Sequence, residues 1–127
     1  MNTHTTLWRP VGTAELALIE QAGFKEFPPR LSWQPIFYPV LNFEYAAQIA
    51  NDWNTKDPNS GYAGFVTEFQ IPETYFQQFA VQNVGGHMHN ELWVPAEELA
   101  TFNSKILGTI KVVAAYYGPQ FTGERKY

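Results

Sequence analysis

Apolar positions recur along this chain in two periods, and short breaks rich in Pro and Gly separate the runs. Leu7-Trp8-Arg9 reads as a short first strand stopped by Pro10. Thr13 can cap a helix over Ala14 to Ala22, with Glu15 in the first turn and Gly23 as the stop; Leu16, Ile19 and Leu18 then face the core. Phe27 to Pro35 is Pro-rich and reads as a loop, and Ile36 to Tyr38 as a short strand. Asn42 can cap a second helix reaching Trp53, on which Phe43, Ala46, Ala47, Ala50 and Trp53 fall on one apolar face. Asn54 to Gly61 is a polar turn. Phe65, Thr67, Phe69 and Ile71 alternate like a half-buried strand.

Pro72 opens a short helix with Tyr75, Phe76 and Phe79 turned inward. Ala80 to Val84 reads as a strand ended by Gly85-Gly86. Met88, Asn90, Leu92 and Val94 then alternate against His89, Glu91 and Trp93. Pro95 stands near the start of a helix carrying Leu99, Phe102 and Ile106, closed by Gly108. Ile110, Val112, Ala114 and Tyr116 alternate in a last strand. The strands are short and interleave irregularly with helices. That pattern predicts an α+β fold: one compact domain over residues 1–127, with a mixed or antiparallel split sheet and flanking helices. The ordered core is expected over about 6–117, with 118–127 a loose tail.

Composition narrows the function classes. There is no cysteine, which excludes disulfides, thiolate nucleophiles and Cys-based zinc sites. Lys and Arg total 8 against a net charge of −4, and no basic patch stands out, so a nucleic-acid duplex is not an expected partner. No apolar run reaches the roughly 18 residues of a membrane span. Met1 to Pro10 lacks a basic flank followed by an apolar run, so the expectation is a soluble, cytoplasmic protein with no secretory leader and no membrane partner. Ten Phe, seven Tyr and four Trp imply a core of large rings, a stacking pocket, or both; the four Trp are core residues by default.

Three segments carry the candidate chemistry. They are Leu7-Trp8-Arg9 with the helix ending at Gly23-Phe24, Ile36-Phe37-Tyr38 with the helix bearing Tyr45, Ala46 and Ala47, and Asn90-Glu91-Leu92-Trp93-Val94. In that order they resemble the ADP-ribosyltransferase fold, in the variant with the His-Tyr-Glu signature of poly(ADP-ribose) polymerases and diphtheria-like toxins. The resemblance spreads over roughly residues 7 to 95. Arg9 stands where that family has His, Tyr38 where it has Tyr, and Glu91 where it has Glu. Pro10 follows Arg9, where the family has a small residue. The branch of the fold with Arg at the first position carries Ser-Thr-Ser and an acidic or amide residue two before its Glu; here that position is His89.

The resemblance implies NAD as substrate, Glu91 as the catalytic residue, and Arg9, Tyr38, Tyr45 and Asn90 as cofactor-binding positions. A carboxylate aimed at the ribose stabilises the oxocarbenium-like state formed as nicotinamide leaves. Tyr38 would stack on the nicotinamide ring, and Arg9 would offer forked donors to a hydroxyl, carboxamide or pyrophosphate. If active, such a domain transfers ADP-ribose to an acceptor, which the sequence does not name, or hydrolyses NAD.

Other readings stay open. Glu91 can be a solvated strand residue, Tyr38 a core ring, and Arg9 the partner of Glu15 or Glu68. The chain can be a non-catalytic interaction or accessory protein on the same scaffold. No metal is expected. The weaker alternative is a metal site of His87, His89 and Glu91, placed on one face by period-2 geometry; the remaining histidine, His4, falls in a terminus expected to fray. No P-loop, dinucleotide-binding glycine fingerprint or nucleophile elbow is present. Asn54 to Gly64 can be a flexible loop near the site, although its composition also fits a simple turn.

Overall fold

The structure, a computed structural model, describes residues 3–127. Three antiparallel strands form its centre, in the order β1 (His4–Val11), β3 (Ala63–Pro72), β7 (Leu107–Tyr117). Helix α1 (Thr13–Gln21) follows β1; β2 (Ile36–Phe37) and α2 (Phe43–Asp52) precede β3. After β3 come α3 (Glu73–Phe76), β4 (Val81–Asn83), β5 (Asn90–Leu92), β6 (Val94–Pro95) and α4 (Leu99–Ser104). β4 pairs with β5, and β2 with β6, all antiparallel, so the chain is an α+β domain.

β1 is longer than its hydrophobic pattern suggests. It starts at His4, paired with Pro72, and runs through Pro10, paired with Val66. Proline is tolerated there because the strand alternates its N–H groups between its two edges. Trp8 turns its N–H away from β3, to the carbonyl of Val40 at 3.0 Å. Pro10 has the same parity, so no bond to β3 is lost.

Both faces of the sheet are covered. On one face four Phe rings, Phe27, Phe37, Phe69 and Phe102, are fully buried, and each contributes about 2 kcal/mol by leaving water. Their centroids lie 5.0 Å (Phe27–Phe69), 5.1 Å (Phe27–Phe37), 5.4 Å (Phe37–Phe102) and 5.9 Å (Phe69–Phe102) apart, in tilted or edge-to-face pairs. Leu16 and Ile19 of α1 join them, as expected; Leu18 is exposed instead. On the other face α2 lays Tyr45, Ala46 and Ala50 on Val66 and Val40. β3 is therefore buried on both sides over Ala63 to Thr67, not half-buried as its alternation suggests.

Several local expectations change for physical reasons. Thr13 is the first helical residue of α1, and Gly12 is its N-cap. A Cβ on Gly12 would stand 2.6 Å from the Cα of Ser60, so the close approach demands glycine. Gly23 ends α1 in the left-handed conformation, φ 70°. Asn42 caps α2 as predicted, its Oδ1 accepting from the Tyr45 amide at 2.7 Å. The buried stripe of α2 is rotated, however: Tyr45 is inside and Trp53 is 70% exposed. Trp33 is 72% exposed and Trp93 is exposed as well, so the default core placement fails for three of the four tryptophans. Pro95 pairs with Ile36 in β6, and a 3-10 turn over Ala96–Glu98 intervenes before α4. Gly108 lies within β7 rather than closing that helix. In β7, Val66 pairs with Ala114 but Thr67 with Val112, leaving Val113 as an unpaired bulge. The bulge turns Ala114 and Tyr116 to the α2 side while Ile110 and Val112 stay with the Phe cluster. The last residues lie along α1, with the Tyr127 hydroxyl donating to Glu20 at 2.9 Å.

One contact seats α2. A Cβ on Gly64 would collide with the backbone of Ala50. Gly64→Ala is expected to lower the unfolding free energy by about 2 kcal/mol, measured by urea denaturation. An unchanged midpoint would mean that α2 does not rest this closely on β3.

Candidate active site

Val40 builds the site. It bridges Trp8 of β1 on one side and Glu91 of β5 on the other. The Val40 amide donates to the Trp8 carbonyl at 2.7 Å, the Leu41 amide to the Asn90 carbonyl at 3.1 Å, and the Leu92 amide to the Pro39 carbonyl at 2.9 Å. The segment 36–41 thus lies between β1 and β5, and it carries Tyr38 at its middle. This arrangement brings Arg9, Tyr38 and Glu91 to one cleft of about 710 Å³, which Tyr45 of α2 also lines.

Arg9 is 6% exposed and pairs with Glu15 on α1. Its Nε donates to Glu15 Oε2 at 2.7 Å and its Nη2 to Oε1 at 2.9 Å, a forked contact. The guanidinium also lies 4.8 Å from the Phe37 ring centre and 5.6 Å from that of Tyr38. Burial works against its charge, but the Glu15 carboxylate outweighs burial and the pKa moves up. Of the two partners open from sequence, Glu15 is the one used; Glu68 instead accepts from Trp8 Nε1 at 3.0 Å.

Glu91 is 8% exposed, not solvated. Its Oε2 accepts from the Tyr45 hydroxyl at 2.7 Å and its Oε1 from Trp93 Nε1 at 2.8 Å. Burial and this hydrogen bond to a carboxylate both push the Tyr45 hydroxyl pKa well above its ordinary value of 10.0. Tyr38 is 41% exposed, with its ring at the cleft rather than in the core. Asn90 does not line the cleft. It belongs to the β4–β5 hairpin, where its Oδ1 accepts from Asn83 Nδ2 at 3.0 Å.

His87 and His89 do not share a strand face with Glu91. Period-2 geometry holds only from Asn90 onward, because residues 84–89 form the hairpin turn. There the Gly86 amide donates to His89 Nδ1 at 3.1 Å, and the same ring stacks on Tyr45 with centroids 4.6 Å apart. Among the described residues, no three His, Cys, Asp or Glu side chains gather around a possible ion.

The cleft is also lined by residues that no motif marked. Asn54, Asp57 and Ser60 form a polar chain: Asn54 Nδ2 donates to Ser60 Oγ at 2.8 Å, and that hydroxyl donates to Asp57 Oδ2 at 2.9 Å. Arg30 enters from the Pro-rich loop, and Trp53 forms part of the wall. The only signal in sequence was compositional: Asn54 to Gly64 reads as a turn or as a flexible loop near the site, and nothing marks Arg30. Among the described residues, no helix is long and apolar enough to cross a membrane. No protein-family model, curated protein or solved structure matches this chain.

Two outcomes follow from this geometry. Glu15→Gln leaves Arg9 buried without a counter-charge and is expected to cost about 3 kcal/mol of stability, whereas the pair Arg9→Met with Glu15→Leu costs less. Chemical denaturation of the three proteins checks it; equal losses would show that the pair is not coupled. The second outcome concerns alkali. Tyr45 and Tyr75, whose hydroxyl bonds Glu98 at 2.7 Å, both have pKa values raised by burial and by a carboxylate acceptor. A raised folded pKa stabilises fully below the ordinary 10.0 and loses that contribution as pH climbs beyond it. Tyrosinate absorbance should show these two titrating last, together with unfolding. Replacing both with Phe should flatten the alkaline loss of stability.

Proposed function

We propose that this protein is an NAD-binding domain of the ADP-ribosyltransferase type, acting in the cytoplasm, with NAD as its substrate. The observation that carries the reading is convergence. Arg9, Tyr38, Tyr45 and Glu91 come from three separate segments and line one cleft of about 710 Å³, within the range of small-molecule sites. The chain order supports the same reading: Arg9 on β1 before α1, Tyr38 after β2 and before α2, and Glu91 on β5.

The chemistry follows from the side chains. Tyr38 offers a partly open aromatic face for the nicotinamide ring. Glu91 faces the developing positive charge at the ribose as nicotinamide departs with the bonding electron pair. Tyr45 and Trp93 hold one oxygen each, fixing the carboxylate's orientation while a lone pair on each remains available. Arg9 has a different task from the one its motif position implies. With Glu15 filling its fork, it braces the cleft wall between β1, α1 and the Tyr38 ring. Transfer then places ADP-ribose on an acceptor or on water.

A non-catalytic binder on the same scaffold is the second reading. It is favoured by one specific observation: the polar groups of Arg9 and Glu91 already have internal partners. Calorimetry with NAD and a nicotinamide-release assay separate the two. Catalysis requires that the wild type bind NAD and release nicotinamide, and that Glu91→Gln lower release about a hundredfold with little change in binding. Binding with no release, indifferent to Glu91→Gln, establishes the binder. No binding at millimolar NAD removes the substrate assignment.

A further inference from the structure

Five charged side chains line the cleft: Arg9, Glu15, Arg30, Asp57 and Glu91. The protein itself satisfies four of them. Arg9 and Glu15 hold each other, and Glu91 takes two donors. Asp57 accepts from the Asn59 amide at 3.0 Å and from the Ser60 hydroxyl at 2.9 Å. Arg30 differs. Its Nε donates to the Ile36 carbonyl at 3.0 Å, and among the described residues no carboxylate forms an ion pair with it. The N–H donors of its two Nη groups have no protein acceptor among the described residues.

This guanidinium is also held in place. Pro28 and Pro29 stiffen the chain before it. Asn103 clamps the start of the loop, accepting from the Phe27 amide and donating to the Phe27 carbonyl, both at 2.9 Å. Beyond it, the Gln34 amide closes a turn on the Leu31 carbonyl at 2.9 Å, and the Leu31 amide bonds Gln34 Oε1 at 3.0 Å. Burial and the like charge of Arg9 lower the Arg30 pKa, against the opposing pull of Glu15 and Tyr38. A half-buried cation with no ion-pair partner among the described residues has lost solvation that an incoming anion restores.

We propose that Arg30 is the anion-binding residue of the cleft, taking a phosphate or pyrophosphate group of the ligand in the fork of its Nη groups. The role that the motif position suggests for Arg9 passes to Arg30, because Glu15 already fills the Arg9 fork. The proposal rests on the cleft being a ligand site, as in the reading above, but not on that ligand being NAD.

The test is calorimetric titration of the full chain with inorganic pyrophosphate, AMP, adenosine and NAD. The variants are Arg30→Gln, Arg30→Lys and Lys111→Ala, the last removing an exposed positive charge outside the cleft; thermal melts confirm that each is folded. The wild type is expected to bind pyrophosphate, and AMP more tightly than adenosine. Arg30→Gln should weaken both phosphate ligands by about tenfold or more, Arg30→Lys less, and Lys111→Ala hardly at all. Pyrophosphate binding that depends on Arg30, without any NAD binding, would uphold the anion site and remove NAD as ligand. NAD binding indifferent to Arg30→Gln would overturn the anion site and leave the NAD reading standing. Pyrophosphate binding lost equally in Arg30→Gln and Lys111→Ala would reduce it to general charge attraction and overturn it, as would no binding of any phosphate ligand.

Discussion

The pairing of Val40 with Trp8 on one side and with Glu91 on the other holds this architecture together. Without it, the three-stranded sheet and the β4–β5 hairpin are separate pieces, each with an exposed edge. Backbone bonds from Val40 to Trp8, with flanking bonds at Leu41 and Leu92, join them across one irregular segment. The side chain of Val40 is fully buried against α2, so the bridge is sheltered from water that would compete for its bonds. Its consequence is spatial. Residues 9, 38 and 91, separated by large stretches of chain, are forced to open onto the same cleft.

Within that cleft, polarity is arranged for rigidity before anything else. The Arg9–Glu15 fork ties β1 to α1, and the Tyr45–Glu91–Trp93 set ties α2 to β5. Each arrangement removes the penalty of a buried charge by supplying hydrogen bonds on the spot. A cleft built this way is preorganised: its carboxylate and aromatic faces are held in place by the protein itself. It is also selective about which groups remain free to interact. Tyr38 offers an open face and Arg30 a fork with no acceptor among the described residues, while Arg9 is committed to the wall.

The sheet itself shows where local pattern misleads. Pro10 looks like a stop, yet the strand runs through it because the missing N–H points away from β3. Ile110, Val112, Ala114 and Tyr116 look like one face, yet the bulge at Val113 splits them between two. Trp53 fits the helical stripe of α2, yet it is exposed while Tyr45 takes the inward place, where its hydroxyl finds Glu91. These differences share a cause. A neighbouring strand or side chain decides them, and periodicity along one segment cannot register it.

The sequence by itself determined the α+β class, the positions of most helices and strands, the Asn42 cap and the Gly23 stop, because each depends on contacts within a few residues. It also marked Glu91, Tyr38 and Arg9 as positions of interest. Only the tertiary structure decided that they line one cleft, that Glu15 occupies Arg9, that His87 and His89 lie in the hairpin turn and not on the strand that carries Glu91, and that Arg30 and the Asn54–Ser60 turn line the wall. Those outcomes depend on pairings across long loops, above all at Val40, and on which charges lose water when the segments meet. Such long-range pairings leave no period in the chain and no composition signal, so they become visible only once the fold has closed.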